Sequence, residues 1–474
     1  MTIKHWQPER RIIVISLCVI LTVWLSLFLV RLTAPFNLLE HYQDRSAAYI
    51  LDAAVNGNWI IQRDDRGDVC RKPPLYTWMG ALLTRAFGRI SYFTISFPSA
   101  LGVLGCSILI WRFGSRYFGV SAAFLAALMY IVSPYGAKMI CLAKTDSLFA
   151  FTVSMSAFLC FSAWIRGRGW TWFWLAAAAT LTKTPLGVIL AASGLLAYVW
   201  ERKELSRPGL RGSHWLGVAL FLVLTLGWFV LTYWQVGRPL IDRMINQDLV
   251  YHALWFNHEG IPCRKFYKPL LYFLSRFAPW SILACMGFWR VWKHPAINPN
   301  ERMFERFLLC YFMFSLAAFS YAPHQRADLL SPLIPAAALL AGRELSYCAN
   351  IVLTRHLLRW VALIWLVAPP IWWVYYNMVY SQKEAVIQTM GVQEVTQKFK
   401  ARFGKNFPLL YANAPIGLQF YFNTNRPRIS LREAAERLSG KESVMVAVQD
   451  IAGLKVYLSP GIKIYEAIRW PKTG

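Results

Sequence analysis

The sequence predicts an α-helical polytopic membrane protein with a small α/β domain after its last apolar run. Three observations predict it. Of the 474 residues, 57% are hydrophobic and only 16% are charged, against roughly 25% charged in soluble domains. The mean hydropathy is +0.37. Apolar runs long enough to span a bilayer recur near 12–31, 91–111, 120–138, 146–165, 169–183, 185–200, 214–235, 268–289, 303–321, 327–345 and 357–379, eleven in all.

The first run follows "KHWQPERR". It is long enough to span, and no small-residue cleavage site follows it. It is therefore expected to remain as the first helix, with its basic end in the cytoplasm. The loop 32–90 comes next. In "DRSAAYILDAAVNGNW" the residues Ala47, Ile50, Leu51 and Ala54 recur at helical spacing and Gly57 is a stop. The segment "PLYTWMGALLTRAFG" (74–88) is apolar but short. Both are expected to be helices lying at the outer membrane face. Counting 74–88 as a span would invert every later loop.

The later connections alternate in charge. "RFGSRYFG", "RGRG", "ERKELSRPGLRG", "RVWKHPAINPNERMFER" and "GRELSYCANIVLTRH" are rich in Lys and Arg. These face the cytoplasm by the positive-inside rule. The loops 32–90, 139–145, 183–184, 236–267 and 322–326 then face outward, as does the C-terminus. The expected domains are 1–380 in the membrane and 381–474 outside it. In the latter, "GVQEVTQKFKARFG" reads as an amphipathic helix and "SLREAAERLSG" as a capped one. "FPLLYAN", "LQFYFN", "VMVAV" and "GIKIYEAI" read as short strands.

The formal net charge is +26. The basic residues stand singly or in pairs between apolar runs, which fits topology and anionic lipid contacts and not a nucleic-acid stripe. The nine cysteines include no CxxC or CxxH pair, so neither a disulfide framework nor a zinc site is expected.

Ionisable groups gather in the outer connections: Asp44, Arg45, Arg71 and Lys72, then Lys144 and Asp146, then Lys183. Loop 236–267 adds Asp242, Asp248, His252, Glu259 and Arg264 among others, and 322–328 adds His324, Arg326 and Asp328. One Lys or Arg at a helix end is ordinarily a snorkelling anchor. One Asp opening a helix is ordinarily a cap or dipole partner. Five loops carrying such residues on one face are better explained by chemistry at that face. Cations hold a phosphate, and a carboxylate takes a proton from an attacking hydroxyl or amine. Both are needed for sugar transfer from a polyprenyl-phosphate donor. The acids of "RDDRGD", Asp64, Asp65 and Asp68, read as an exposed turn outside the chemistry.

At these residues the chain resembles the membrane glycosyltransferases of the protein O-mannosyltransferase and aminoarabinose (lipid A) transferase type, which have the GT-C fold. "YQDRSAAYILDAAVNGNW" and "RKPPLYTW" resemble the family's first outer loop. "AKTDSLFAF" resembles its second acidic segment and "LTKTPLG" its Thr-Lys junction. "CRKFYKPLLYFLSRFAPWS" and "APHQRADLLSPLIPAAALLAG" resemble two later motifs. The series runs in order over about residues 10–345. The family's Asp-Glu pair falls on Tyr42 and Gln43, and the nearest carboxylate is Asp44. Arg71 stands where the family has Glu, and Cys263 where it has His.

The resemblance implies Asp44 as general base and Asp146 as the residue that orients the acceptor or assists the base. It implies Arg45, Lys72 and Arg264 as donor-phosphate ligands, with Lys183, His324 and Arg326 as further candidates for the anionic site. No metal and no cofactor is expected, and the anomeric centre should invert. The expected partners are a polyprenyl-phosphate-linked sugar, a lipid, glycan or protein acceptor, and membrane lipids; no nucleic acid is expected. A bacterial inner membrane with a periplasm-facing site is the expected location. A transporter or flippase of a lipid-linked sugar is the main alternative. It should show internal repeats and midplane charges, and neither is evident. A receptor built around the C-terminal domain is the other.

Overall fold

A computed structural model describes residues 10–39, 43–70, 72–180, 186–201, 212–238, 265–322, 325–348, 367–404, 409–414, 416–440, 444–448, 450–459, 462, 465 and 468. The chain divides into two compact units. One comprises Met1–Arg31 and Ser99–Trp372, the other Leu32–Pro98 and Trp373–Gly474. The loop 32–98 thus groups with the C-terminal residues.

Among the described residues five helices are long and apolar enough to cross a membrane: α1 (Arg10–Thr33), α4 (Tyr92–Tyr117), α7 (Asp146–Arg166), α11 (Trp215–Val236) and α14 (Pro299–Tyr321). Among the described residues four of the other runs expected to span are broken. The run 120–138 divides at Ser133 into α5 (Val120–Val132) and α6 (Pro134–Met139). The run 169–183 is described as α8 (Trp170–Thr180). The run 185–200 divides into α9 (Leu186–Ser193) and α10 (Leu196–Glu201). The run 268–289 forms α12 (Lys268–Arg276) and α13 (Ser281–Lys293), bent by 117°. The run 327–345 opens as a 3-10 segment, Ala327–Leu333, before α15 (Ile334–Cys348). Of 357–379 only the part from 367 is described. Apolar composition reports depth in the membrane. It does not report where Pro279 or Pro332 interrupts the helical ladder.

The helices of the first unit approach closely through small residues, as membrane bundles do. Gly342 of α15 lies against the backbone of Ala122 and Ala126 on α5. Gly102 of α4 lies against the backbone of Ser147 at the start of α7, where an added Cβ would stand 2.6 Å from the Ser147 carbonyl carbon. Gly102→Ala should therefore destabilise the protein by about 1–3 kcal/mol, the usual cost of overpacking. Thermal unfolding in detergent checks it.

One end of this unit is braced by buried ions. Arg343 donates to Glu305, and through Nε and Nη2 to Glu344 Oε1 at 3.1 and 2.6 Å. Arg290 donates to the other Glu344 oxygen at 3.1 Å. Arg306 and Arg302 both reach Glu201, at 2.8 and 3.4 Å. Arg343, Glu305, Glu344 and Glu201 are all at most 2% exposed.

In the second unit, α2 (Gln43–Val55) and α3 (Leu75–Ala86) form where two outer-face helices were expected. At 12 residues, α3 is too short to span. It packs on α2 through Gly80, which meets Ile50, and leaves Trp78 and Leu82 exposed. After residue 383 follow α16 (Glu384–Phe403), β1 (Leu409–Ala412), α17 (Ile416–Phe422), α18 (Leu431–Leu438), β2 (Met445–Val448) and α19 (Ile451–Val456). The strands pair in parallel, Leu409 opposite Met445 and Ala412 opposite Val448. Ser430 caps α18 by accepting from Glu433 N–H, as its sequence foretold. "LQFYFN" is not a strand but the helix α17. Its Leu418 is buried with Val392 and Phe399 of α16, and Gln419 both accepts from and donates to the backbone of Arg426. Packing decided against the strand preference of Phe and Tyr. In the segment 461–468 only 462, 465 and 468 are described, and none is in a strand.

Candidate active site

The described candidate residues form two sets, one in each unit.

In the second unit the set is built on the first turn of α2. The Gln43 side chain donates to Asn37 O at 2.6 Å, and Asp44 N–H donates to Leu38 O at 2.8 Å. These bonds fix how the chain enters the helix. Asp44 Oδ1 accepts from Arg45 N–H at 2.8 Å, partly satisfying the helix start. Burial raises the Asp44 carboxyl above its ordinary value of 3.8, against the opposing effects of the Arg45 N–H and guanidinium. Its acid is thus poised higher than a solvated carboxylate. The Arg45 guanidinium lies 3.9 Å from Asp64 Oδ2 and 3.9 Å from Asp68 Oδ2.

Asp52, two turns further along α2, ties down the following hairpin. Its Oδ1 accepts from the side chains of Asn56 and Asn58, and its Oδ2 from Arg63 N–H at 2.6 Å. Arg63 then bridges Val69, and Asp64–Gly67 form the turn, with Gly67 at a φ of +80°. The expectation that Asp64, Asp65 and Asp68 are all exposed holds only for Asp68. Asp64 is 4% and Asp65 2% exposed. The turn folds inward because Asp64 Oδ1 accepts from Arg66 and Asp68 N–H, while Asp65 pairs with Arg428. Composition alone, with five charged residues among the six of "RDDRGD", gives no sign of this. Lys72 follows, exposed, just ahead of Pro73 and α3.

In the first unit the set gathers around the start of α7. The Ser99 hydroxyl donates to Leu142 O at 2.5 Å and to Lys144 O at 3.1 Å, pinning the connection before the helix. Ser147 donates to Met139 O at 3.1 Å, joining α6 to α7. Asp146 is buried in the first turn of α7 with Lys144 Nζ at 3.8 Å. The 3-10 segment Ala327–Leu333 packs on α7. Within it the buried Asp328 takes two cations, Lys138 Nζ and Arg326 Nη2, each at 3.2 Å. Arg326 is thus part of a bridged Lys–Asp–Arg group of net positive charge. Lys138 was missed by the sequence reading, although a Lys inside "GAKMICLAK" was itself a signal.

Lys183, Arg264 and His324 lie outside the described residues. Among the described residues no group of three or more His, Cys, Asp or Glu is placed to hold a metal ion.

Comparison with known proteins agrees with this architecture. The sequence profile of a family described as dolichyl-phosphate-mannose-protein mannosyltransferase matches residues 71–230. The "Putative mannosyltransferase YycA" of Bacillus subtilis (strain 168) is 28% identical over 141 residues, which cover 28% of this chain and 20% of that protein. ArnT from Cupriavidus metallidurans, in its crystal structure bound to undecaprenyl phosphate, superposes with a TM-score of 0.67. The match has 17% identity and covers 94% of this chain and 95% of that one. The apo structure of the same protein gives 0.63 at 18% identity, covering 92% of each chain.

Proposed function

We propose that this chain, a multi-pass membrane protein of the GT-C fold, is a glycosyltransferase. It moves a sugar from a polyprenyl-phosphate donor to a lipid, glycan or protein acceptor at the outer face of the membrane. The observation that carries the reading is the likeness, over 94% of the chain, to a structure that holds undecaprenyl phosphate. The ordered motifs and the cations of the outer loops support it.

In this reading the ionised Asp44 removes the proton from the acceptor nucleophile as it attacks the anomeric carbon. Asp146, held beside Lys144, orients the acceptor. Arg45, Lys72 and Arg264 hold the donor phosphate and stabilise the charge that it gains as the glycosidic C–O bond breaks. Arg326, Lys183 and His324 add to the same positive field. Attack opposite the departing phosphate inverts the centre. The transfer needs no metal, and the site faces the periplasm, with the N-terminus in the cytoplasm and the C-terminal residues outside.

The test is a reconstituted assay with radiolabelled polyprenyl-phosphate sugars and total membrane extract. Label is expected to move to a new product. Donor binding without transfer in any extract would favour a transporter instead. The pH profile gives a second check. A base acts only when ionised, and burial raises the Asp44 carboxyl. Its rate should fall, as pH drops, at a pH above the ordinary carboxylate value of 3.8. The Arg45 charge opposes that rise, so Arg45→Gln should shift the acid limb further upward.

A further inference from the structure

The Asp64–Gly67 turn holds two buried carboxylates that the chemistry above does not use. The Asp64 and Asp65 side chains are 0% and 2% exposed. Each has one oxygen engaged and one buried oxygen that accepts no hydrogen bond, Asp64 Oδ2 and Asp65 Oδ1. Two such groups side by side are costly to desolvate unless charge answers them. The answering charges come from different parts of the chain. Asp64 Oδ2 lies 3.9 Å from Arg45 Nε on α2. Asp65 Oδ2 takes the guanidinium of Arg428, in the C-terminal region.

The Arg428 pair is one of several ties. Arg428 N–H donates to Asp65 O at 2.7 Å. The Asn425 side chain donates to Arg63 O at 3.0 Å, and the Asn56 side chain donates to Asn425 O at 3.0 Å. Segment Asn425–Arg428 is thereby laced to the turn and to the end of α2. At 3.9 Å the Arg45–Asp64 contact is a Coulombic tether and not a hydrogen bond, so it steers the guanidinium without fixing it.

We propose that the Asp64–Asp65 turn is a positioning device through which segment Asn425–Arg428 sets the placement of Arg45. The C-terminal region thereby controls the affinity for the phosphate of the lipid-linked donor. This rests on the reading of Arg45 as a donor-phosphate ligand. Asp64 and Asp65 are positioning residues that act through Arg45.

The test uses the full chain in nanodiscs with Asp64→Asn, Arg428→Gln and the conservative Arg428→Lys. Asp64→Asn keeps an oxygen for the Arg66 and Asp68 N–H groups but removes the charge facing Arg45. Hydrogen–deuterium exchange of Gln43–Val55 reports the coupling whether or not transfer occurs. Exchange in the first turn of α2 should quicken roughly tenfold in Asp64→Asn and Arg428→Gln, a size typical of coupled neighbours. Donor KM should rise by a similar factor and by more than kcat falls, with Arg428→Lys restoring most of both. Unchanged exchange at α2 overturns the device even if wild type transfers no sugar, and that second result would fail the functional reading instead. Quickened exchange with unchanged donor KM, or equal losses in KM and kcat tracking the melting temperature, reduces the turn to a local brace and also overturns it.

Discussion

Asp44→Asn should lower sugar transfer by about two to four orders of magnitude, the range that a positioned general base contributes. Asn is nearly isosteric, and its side-chain oxygen still accepts the Arg45 N–H that Asp44 Oδ1 accepts in the wild type. Helix α2 should keep its first turn, and under the proposed function the variant should be produced and should bind the lipid-phosphate donor with unchanged affinity. The loss should sit in kcat, because the removed interaction is made as the acceptor proton departs. Initial rates at saturating donor, beside a donor-binding isotherm, separate the two quantities. Full activity in Asp44→Asn, with a comparable loss in Asp146→Asn, would hand the base role to Asp146.

Arg343→Met should destabilise the protein by about 3–5 kcal/mol, the usual consequence of removing one partner from a buried ion pair. Arg343 is 1% exposed, and its removal leaves Glu305 facing a desolvated void. Glu344 retains Arg290, so most of the damage falls on Glu305. Adding Glu305→Gln should recover much of the loss. Gln removes the stranded charge and still accepts the Ala296 N–H that Glu305 Oε2 accepts now. Thermal unfolding in detergent of the single and double variants decides it. A single variant as stable as wild type would mean that water reaches the site.

The sequence carried the class of fold because apolar composition reports the bilayer directly. It carried both helices of loop 32–90, the first because its apolar positions recur at helical spacing and the second because its segment is apolar but short. It also carried the cap at Ser430, which is a local motif. It did not carry the interruptions of the shorter runs, because a single polar residue such as Ser133 is averaged out by its apolar neighbours in a hydropathy window. Helix α17 was hidden because Phe and Tyr favour strands until Val392 and Phe399 pack against them. For the candidate site, Asp44, Arg45 and Asp146 could be named from their neighbours in the chain. The burial of Asp64 and Asp65 could not, since Arg428 lies 363 positions away. Nor could the pairing of Lys138 with Asp328, 190 positions apart. Long-range partners leave no periodic trace in a single sequence.

The buried brace at Arg343 also bears on how the chain is made. Glu305 and its partner are separated by 38 residues, while Glu201 precedes Arg306 by 105. During synthesis α14 therefore emerges with the partner for Arg306 already in place but with none yet for Glu305. At roughly 5–20 residues per second the ribosome needs about 2–8 s to supply Arg343. Through that interval Glu305, in the charged first half of α14, favours a wet, lateral position near the insertion machinery over release into lipid. Slower translation over this stretch should therefore lower the yield. Pausing there should increase the fraction of nascent chains that are degraded, with no change in the sequence of the finished protein.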